Sequence, residues 1–145
     1  MIVIASDHAG FALKQELIAH LRERGVEFED IGTYTTDSCD YPAYAEKAAR
    51  GVADGTYEKG ILVCGTGLGM CMAADKIPGI RCALLSDCFS AEMSRSHNDA
   101  NMMALGGRVT GSELAKRLVD IFLTTEFLGG KHERRVDMIR ALEQR

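Results

Sequence analysis

An apolar run, Gly60-Ile61-Leu62-Val63-Cys64, breaks at once into Gly65-Thr66-Gly67-Leu68-Gly69-Met70, and Cys71-Met72-Ala73-Ala74-Asp75-Lys76 then reads as the first turns of a helix. The run is short and bounded by glycine, which fits a buried strand. Strand, glycine loop and helix in this order form a cradle for an anion. Glycines let backbone N–H groups approach closely, and a helix N-terminus carries partial positive charge. Cys64 sits at the lip of the cradle, where that field favours thiolate. A reactive thiol beside such donors is the core of a site that makes and holds an oxyanion.

Three better-known loops fit poorly. A P-loop needs Lys and Ser or Thr after its second conserved glycine, and Met70-Cys71 supplies neither. A dinucleotide fingerprint reads G-x-G-x-x-G, whereas Met70 stands where the last glycine belongs. Asp87 falls near the distance at which that fingerprint wants its acid, after Cys82-Ala83-Leu84-Leu85, so a non-catalytic nucleotide-binding module stays as an alternative. A cysteine-dependent phosphatase grips phosphate with an arginine six residues after the nucleophile, and position 70 is methionine.

A chain of 145 residues suits a single domain spanning 1–145. Its net charge of −4 argues against general nucleic-acid binding. No signal peptide and no long apolar run are evident, so no membrane partner and a cytoplasmic location are expected. The five cysteines, Cys39, Cys64, Cys71, Cys82 and Cys88, contain no C-x-x-C pair. They read as free thiols in a reducing compartment, without metal-ligand spacing. A redox sensor built on Cys64 would lack a resolving cysteine at that spacing.

Elsewhere apolar runs alternate with helical stripes. Strands are expected at 2–5, 26–31, 81–85 and 102–105, and helices at 10–24, 43–52, 90–95, 112–124 and 131–142, with Gly25 ending the first helix. Near-continuous apolar strands alternating with helices make a five-stranded parallel sheet covered on both faces, an α/β fold closed by a basic helix. Such sheets bind ligands at the carboxyl ends of their strands. Ser6-Asp7-His8-Ala9-Gly10 comes after the first strand, the Cys64 loop after the third, Ser86-Asp87 after the fourth and Gly106-Gly107-Arg108 after the fifth.

Each candidate side chain has a structural alternative. Asp7 suits a helix cap, or a hydrogen bond to sugar hydroxyls with His8 on phosphate. His97 lies among Asn98, Asp99 and Asn101, an ordinary loop composition. Beside a thiol and an anion cradle, however, it suits proton transfer near neutral pH. Lys131 and Arg135 are four apart on one helical face, either solvated or gripping phosphate.

Ser6-Asp7-His8-Ala9-Gly10, then Cys64-Gly65-Thr66-Gly67-Leu68-Gly69-Met70, then His97-Asn98-Asp99-Ala100-Asn101 resemble, in that order, the type B ribose-5-phosphate isomerases. That family also holds galactose-6-phosphate and allose-6-phosphate isomerases. Gly106-Gly107-Arg108 and Gly129-Gly130-Lys131-His132 extend the resemblance, which runs from residue 2 to about residue 140.

The resemblance implies a Rossmann-like three-layer domain forming homodimers or tetramers, with active sites at the subunit interface. It implies interconversion of a phosphorylated aldose and ketose without metal or nucleotide. Carried over by position, Cys64 moves the proton between C1 and C2, and Gly65, Thr66, Gly67, Leu68, Gly69 and Met70 face the enediolate. His97 opens the sugar ring with help from Asp7, Thr66 helps with ring opening or with hydroxyl contacts, and Asn98 lies near the reacting carbons. His8, Arg108, Lys131 and Arg135 are the phosphate candidates, some of them expected from the partner chain. Lys131 stands where many relatives carry arginine, a point charge in place of a planar fork. Ribose 5-phosphate is the expected substrate and a six-carbon aldose 6-phosphate the alternative.

Overall fold

A computed structural model describes residues 1–144. The apolar runs are strands: β1 (Ile2–Ser6), β3 (Gly60–Cys64) and β5 (Met102–Gly106) have every residue buried. Two shorter strands, β2 (Phe28–Asp30) and β4 (Cys82–Leu84), flank them. The helices are α1 (Phe11–Glu23), α2 (Tyr41–Ala53), α3 (Leu68–Ala74), α4 (Cys88–Ser96), α5 (Ser112–Thr124) and α6 (Lys131–Ala141), with a 3-10 turn at Leu142–Gln144 after the last. The sheet is wholly parallel, in the order β2-β1-β3-β5-β4.

Side chains alternate across a strand, so each buried strand feeds two cores. Ile2 and Ile4 pack with Leu13, Leu17 and Leu21 of α1 and Leu118 and Phe122 of α5. Val3 and Ala5 pack with Ala45, Ala48 and Ala49 of α2 and Met70 and Ala74 of α3. Burying one such leucine stabilises the fold by roughly 1.5–3 kcal/mol. Helices α1 and α3 thus leave neighbouring strands β1 and β3 for opposite faces. Their departure opens a crevice at the carboxyl ends of those two strands, the ligand position of doubly wound sheets.

Several boundaries differ from the sequence expectation. Helix α3 begins at Leu68, because Gly67 takes φ +82° and turns the chain straight into the helix. Helix α2 begins at Tyr41, with Pro42 in its first turn, where the missing N–H costs nothing. Strand β2 starts only at Phe28, because Val26 belongs to the turn out of α1: its N–H reaches the Leu21 carbonyl at 3.0 Å. Gly25, at φ +68°, donates to Arg22 O at 3.1 Å and completes that helix end. Among the described residues, no helix is long and apolar enough to cross a membrane.

Candidate active site

Three turns meet at the carboxyl ends of β1, β3 and β5, and they fit only because glycines let backbones touch. A Cβ on Gly10 would lie 2.2 Å from Val63 O, and one on Gly106 would lie 2.7 Å from Thr66 O. The Gly107 N–H donates to Cys64 O at 2.8 Å, and the Arg108 N–H to Gly65 O at 3.0 Å. Arg108 also folds its side chain over the loop: a Cβ on Gly65 would meet Arg108 Nη1 at 3.3 Å.

Cys64 is buried at the centre of this junction. Its Sγ accepts the Gly67 N–H at 3.2 Å, which ties the sulfur to the glycine loop. Thr66 Oγ1 accepts the Leu68 N–H at 3.2 Å, which ties down the loop and leaves the hydroxyl proton to be donated elsewhere. The first α-type bond of the helix runs from Cys71 N–H to Gly67 O. By position, therefore, the N–H groups of Gly69 and Met70 belong to the first turn and lack intrahelical acceptors. The thiol sulfur and these N–H groups thus share one segment of seven residues, 64–70.

Asp7 is buried and its Oδ1 accepts the Gly10 N–H at 2.9 Å. It closes the turn before α1, so the structural role is real. His8, half-buried next to it, accepts the Cys39 N–H on Nδ1 at 3.3 Å. Asp87 is the N-cap of α4, its Oδ1 accepting Ser90 N–H at 2.7 Å. That bond gives the acid a local purpose and weakens the nucleotide-module reading. Cys71 sits on α3 against Cys82 and Asp75, packed as expected. Contact with Cys82, outweighing burial, lowers the Cys71 thiol, while Cys82 is raised well above the usual thiol value.

His97 and Asn98 are elsewhere. Residues 97–101 lead into the amino end of β5, where Asn101 O accepts Gly60 N–H at 3.1 Å. In the β3–β5 register Gly60 lies opposite Met102 and Cys64 opposite Gly106. About 13 Å of strand, at roughly 3.3 Å per residue, therefore separates the His97 segment from Cys64. In a parallel sheet the residues entering a strand and those leaving it lie at opposite ends.

Helix α6 joins the His97 end. The His97 ring stacks on His132, and Leu128 N–H bonds Ser96 O at 3.0 Å. Lys131 and Arg135 are exposed on the same helix. Asp99, at φ +47°, fastens this end through Arg95 at 2.9 Å, Arg81 at 3.4 Å and Arg140 at 3.6 Å. Sequence reasoning passed over His132 as a site residue, although it stands in the Gly-Gly-x-His motif. One chain thus carries two clusters: Asp7, His8, Cys64–Met70 and Arg108 at one end of the sheet, and His97, Asn98, Lys131, His132 and Arg135 at the other.

A cleft of about 310 Å³ adjoins the first cluster, lined by Thr66, Leu68, Leu84, Ser86, Gly106 and Val109. A larger hollow of about 650 Å³ lies between α1 and α5, and none of the loop residues lines it. Among the described residues, no three His, Cys, Asp or Glu side chains converge as metal ligands.

Residues 2–139 match the family model for the Ribose/Galactose Isomerase family. The chain belongs to this family. It is 51% identical over 144 residues to ribose-5-phosphate isomerase B of Escherichia coli K12, covering 99% of this chain and 97% of that one. The fold matches ribose-5-phosphate isomerase B of Clostridium thermocellum with a TM-score of 0.97 and 48% identity, over 99% of this chain and 97% of the other. It also matches the Mycoplasma genitalium ribose-5-phosphate isomerase B with bound ribulose-5-phosphate, with a TM-score of 0.94 and 39% identity, over 99% and 95% of the two chains. Membership of the Ribose/Galactose Isomerase family fixes the reaction class as sugar isomerisation.

Proposed function

We propose that this protein interconverts ribose 5-phosphate and ribulose 5-phosphate through an enediolate, at a site completed by a second copy of the chain. The observation that carries the chemistry is Cys64 Sγ held by the Gly67 N–H, with Arg108 drawn across the same loop. The Cys64 thiolate removes the proton from C2 of the open-chain aldose. Charge develops on the carbonyl oxygen, where first-turn N–H donors stabilise it; one such donor is typically worth roughly 100- to 1000-fold in rate. The thiol returns the proton to C1, and the hydroxyl proton passes from O2 to O1, which leaves the ketose. Phosphate does not react, so Arg108 and His8 anchor and orient the reacting end.

Ribose 5-phosphate is mostly a furanose in water, so an acid–base group must open it first. His97 suits that role, yet it must come within hydrogen-bond reach of the sugar at Cys64. Its place at the other end of the sheet supports a site shared between two chains. A two-fold pair resolves the distance, since each copy lends His97, Asn98, Lys131 and Arg135 to the other's Cys64 loop and two equal sites result. Leu68, Met72, Leu84 and Val109 are between 40% and 66% exposed on β4, α3 and the turn after β5. They offer an apolar face for that pairing.

The test is conversion of ribose 5-phosphate to ribulose 5-phosphate by purified protein in EDTA, with allose 6-phosphate and galactose 6-phosphate alongside. Rapid pentose turnover is expected, falling at least 100-fold in Cys64→Ala with the fold intact. Turnover of a hexose phosphate alone would keep the mechanism and change the substrate.

A further inference from the structure

Lys14 is the most anomalous charged residue of the chain. It lies on the buried side of α1 with no solvent exposure, and the reaction does not use it. A buried ammonium is costly unless its protons are bonded. Nζ contacts Asp30 Oδ1 at 2.5 Å and the Thr33 carbonyl at 2.6 Å. It also lies over the rings of Phe11 and Tyr34, 5.7 and 5.4 Å from their centroids. The same Asp30 oxygen accepts Gly32 N–H at 2.9 Å, and Tyr34 Oη donates to Asp30 O at 3.1 Å.

All of these bonds converge on the start of the loop between β2 and α2. That stretch is laid along the end of β1: Ser6 N–H donates to Gly32 O, and Thr33 N–H to Ser6 O, both at 2.8 Å. The far end of the loop returns to the next residues of the same turn. There the Cys39 N–H donates to His8 Nδ1 at 3.3 Å, with Cys39 Sγ 3.9 Å from the same nitrogen.

A ring nitrogen that accepts an N–H holds a lone pair, so the proton of a neutral imidazole must sit on the other nitrogen. We propose that Lys14 is a positioning residue: it clamps the loop whose Cys39 N–H fixes His8 as the Nε2–H tautomer. His8 then offers one directed, neutral donor from Nε2, set before any ligand arrives. Outer partners orient metal-bound histidines in the same way, by bonding the nitrogen that faces away from the site. The use of that donor on a sugar phosphate rests on the function proposed above, but the tautomer does not.

The test is the long-range 1H–15N spectrum of the His8 ring at pH 8, assigned by loss of its signals in His8→Gln. The unmodified protein is expected to show a protonated Nε2 and a bare Nδ1 as a single tautomer. A protonated Nδ1, or a mixture, would overturn the proposal. Lys14→Met is expected to fold and to shift His8 to a mixture, with KM for ribose 5-phosphate rising about fivefold and kcat changing less than twofold. A folded Lys14→Met that keeps the single tautomer removes Lys14 from the role. Cys39→Pro, which deletes the donor without touching Lys14, must give the same mixture, so the proposal stays testable if Lys14→Met does not fold. A fixed tautomer in a protein that turns over no pentose phosphate would count against the substrate and leave this inference standing.

Discussion

The imidazole of His97 lies flat on that of His132, with centroids 4.0 Å apart and planes 12° from parallel. Loss of water around the ring, then the nearness of His97, Lys131 and Arg135, holds His132 below the ordinary histidine value. It is therefore a neutral platform at pH 7, and the stack fixes the plane of its partner. His132→Ala is expected to lower turnover of ribose 5-phosphate about tenfold, and His132→Phe to keep most of it. Ribulose 5-phosphate cannot form a five-membered ring because its O5 carries phosphate. The reverse reaction should therefore lose less in His132→Ala and in His97→Asn; equal losses in both directions would remove the ring-opening role. The stability sign is also fixed. The folded value lies below the unfolded one, so this contribution holds above about pH 6.5 and declines as pH falls below it.

Gly67→Ala tests the cradle itself. Residue 67 has φ +82°, and a Cβ there would lie 2.5 Å from Leu84 Cδ1 and 2.9 Å from the Leu105 carbonyl carbon. The conformation alone costs an alanine about 1–2 kcal/mol, and the backbone contact cannot yield as a side chain can. The loop must shift, and the Gly67 N–H leaves the sulfur. A fall in kcat of at least tenfold with an almost unchanged KM is expected from steady-state kinetics. A rise in KM alone would assign the loop to binding rather than to the transition state.

Tyr57 reports on the core that the sheet shares with α2 and α3. Its hydroxyl donates to Glu29 Oε2 across the β2 edge. That bond, burial and the charges of Glu29 and Asp54 push the phenol up to about 12. A raised folded value means that the contribution is complete below pH 10 and is lost as pH rises towards 12. Tyr57→Phe should cost about 1 kcal/mol at pH 8, since Glu29 is exposed and water replaces the donor. Urea unfolding at pH 8 and pH 11 should show the gap between the two proteins narrowing at the higher pH.

Much of this was legible in the residues, and the failures have physical causes. Helix α5 runs over Ser112–Thr124, the span its apolar spacing predicts, because nothing at either end competes with the pattern. Gly67-Leu68-Gly69 hid the start of α3, since glycine favours loops and yet one left-handed glycine is enough to begin a helix. Pro42 likewise reads as a breaker and serves as a first-turn residue. Lys14 escaped notice because a lysine in a helical stripe ordinarily reaches water, and only the fold brings Asp30 and Thr33 O beneath it. The separation of His97 from Cys64 was within reach of the sequence. In a parallel sheet a motif before a strand and a motif after one lie at opposite ends.

That separation gives a test by subunit mixing. In the proposed two-fold pair, Cys64→Ala and His97→Asn each break every site of their own dimer. If each site draws Cys64 from one chain and His97 from the other, a mixed dimer holds one intact site and one doubly broken site. Random pairing makes about half of the dimers mixed, so activity on ribose 5-phosphate should recover to about one quarter of wild type. If both residues served a site within one chain, no mixed dimer would hold an intact pair, and activity would stay at the level of the separate variants. Co-expression of differently tagged chains, with isolation of the doubly tagged species, raises the expected value to about half. Inactivity of that isolated species would overturn the shared site, whatever its affinity for substrate.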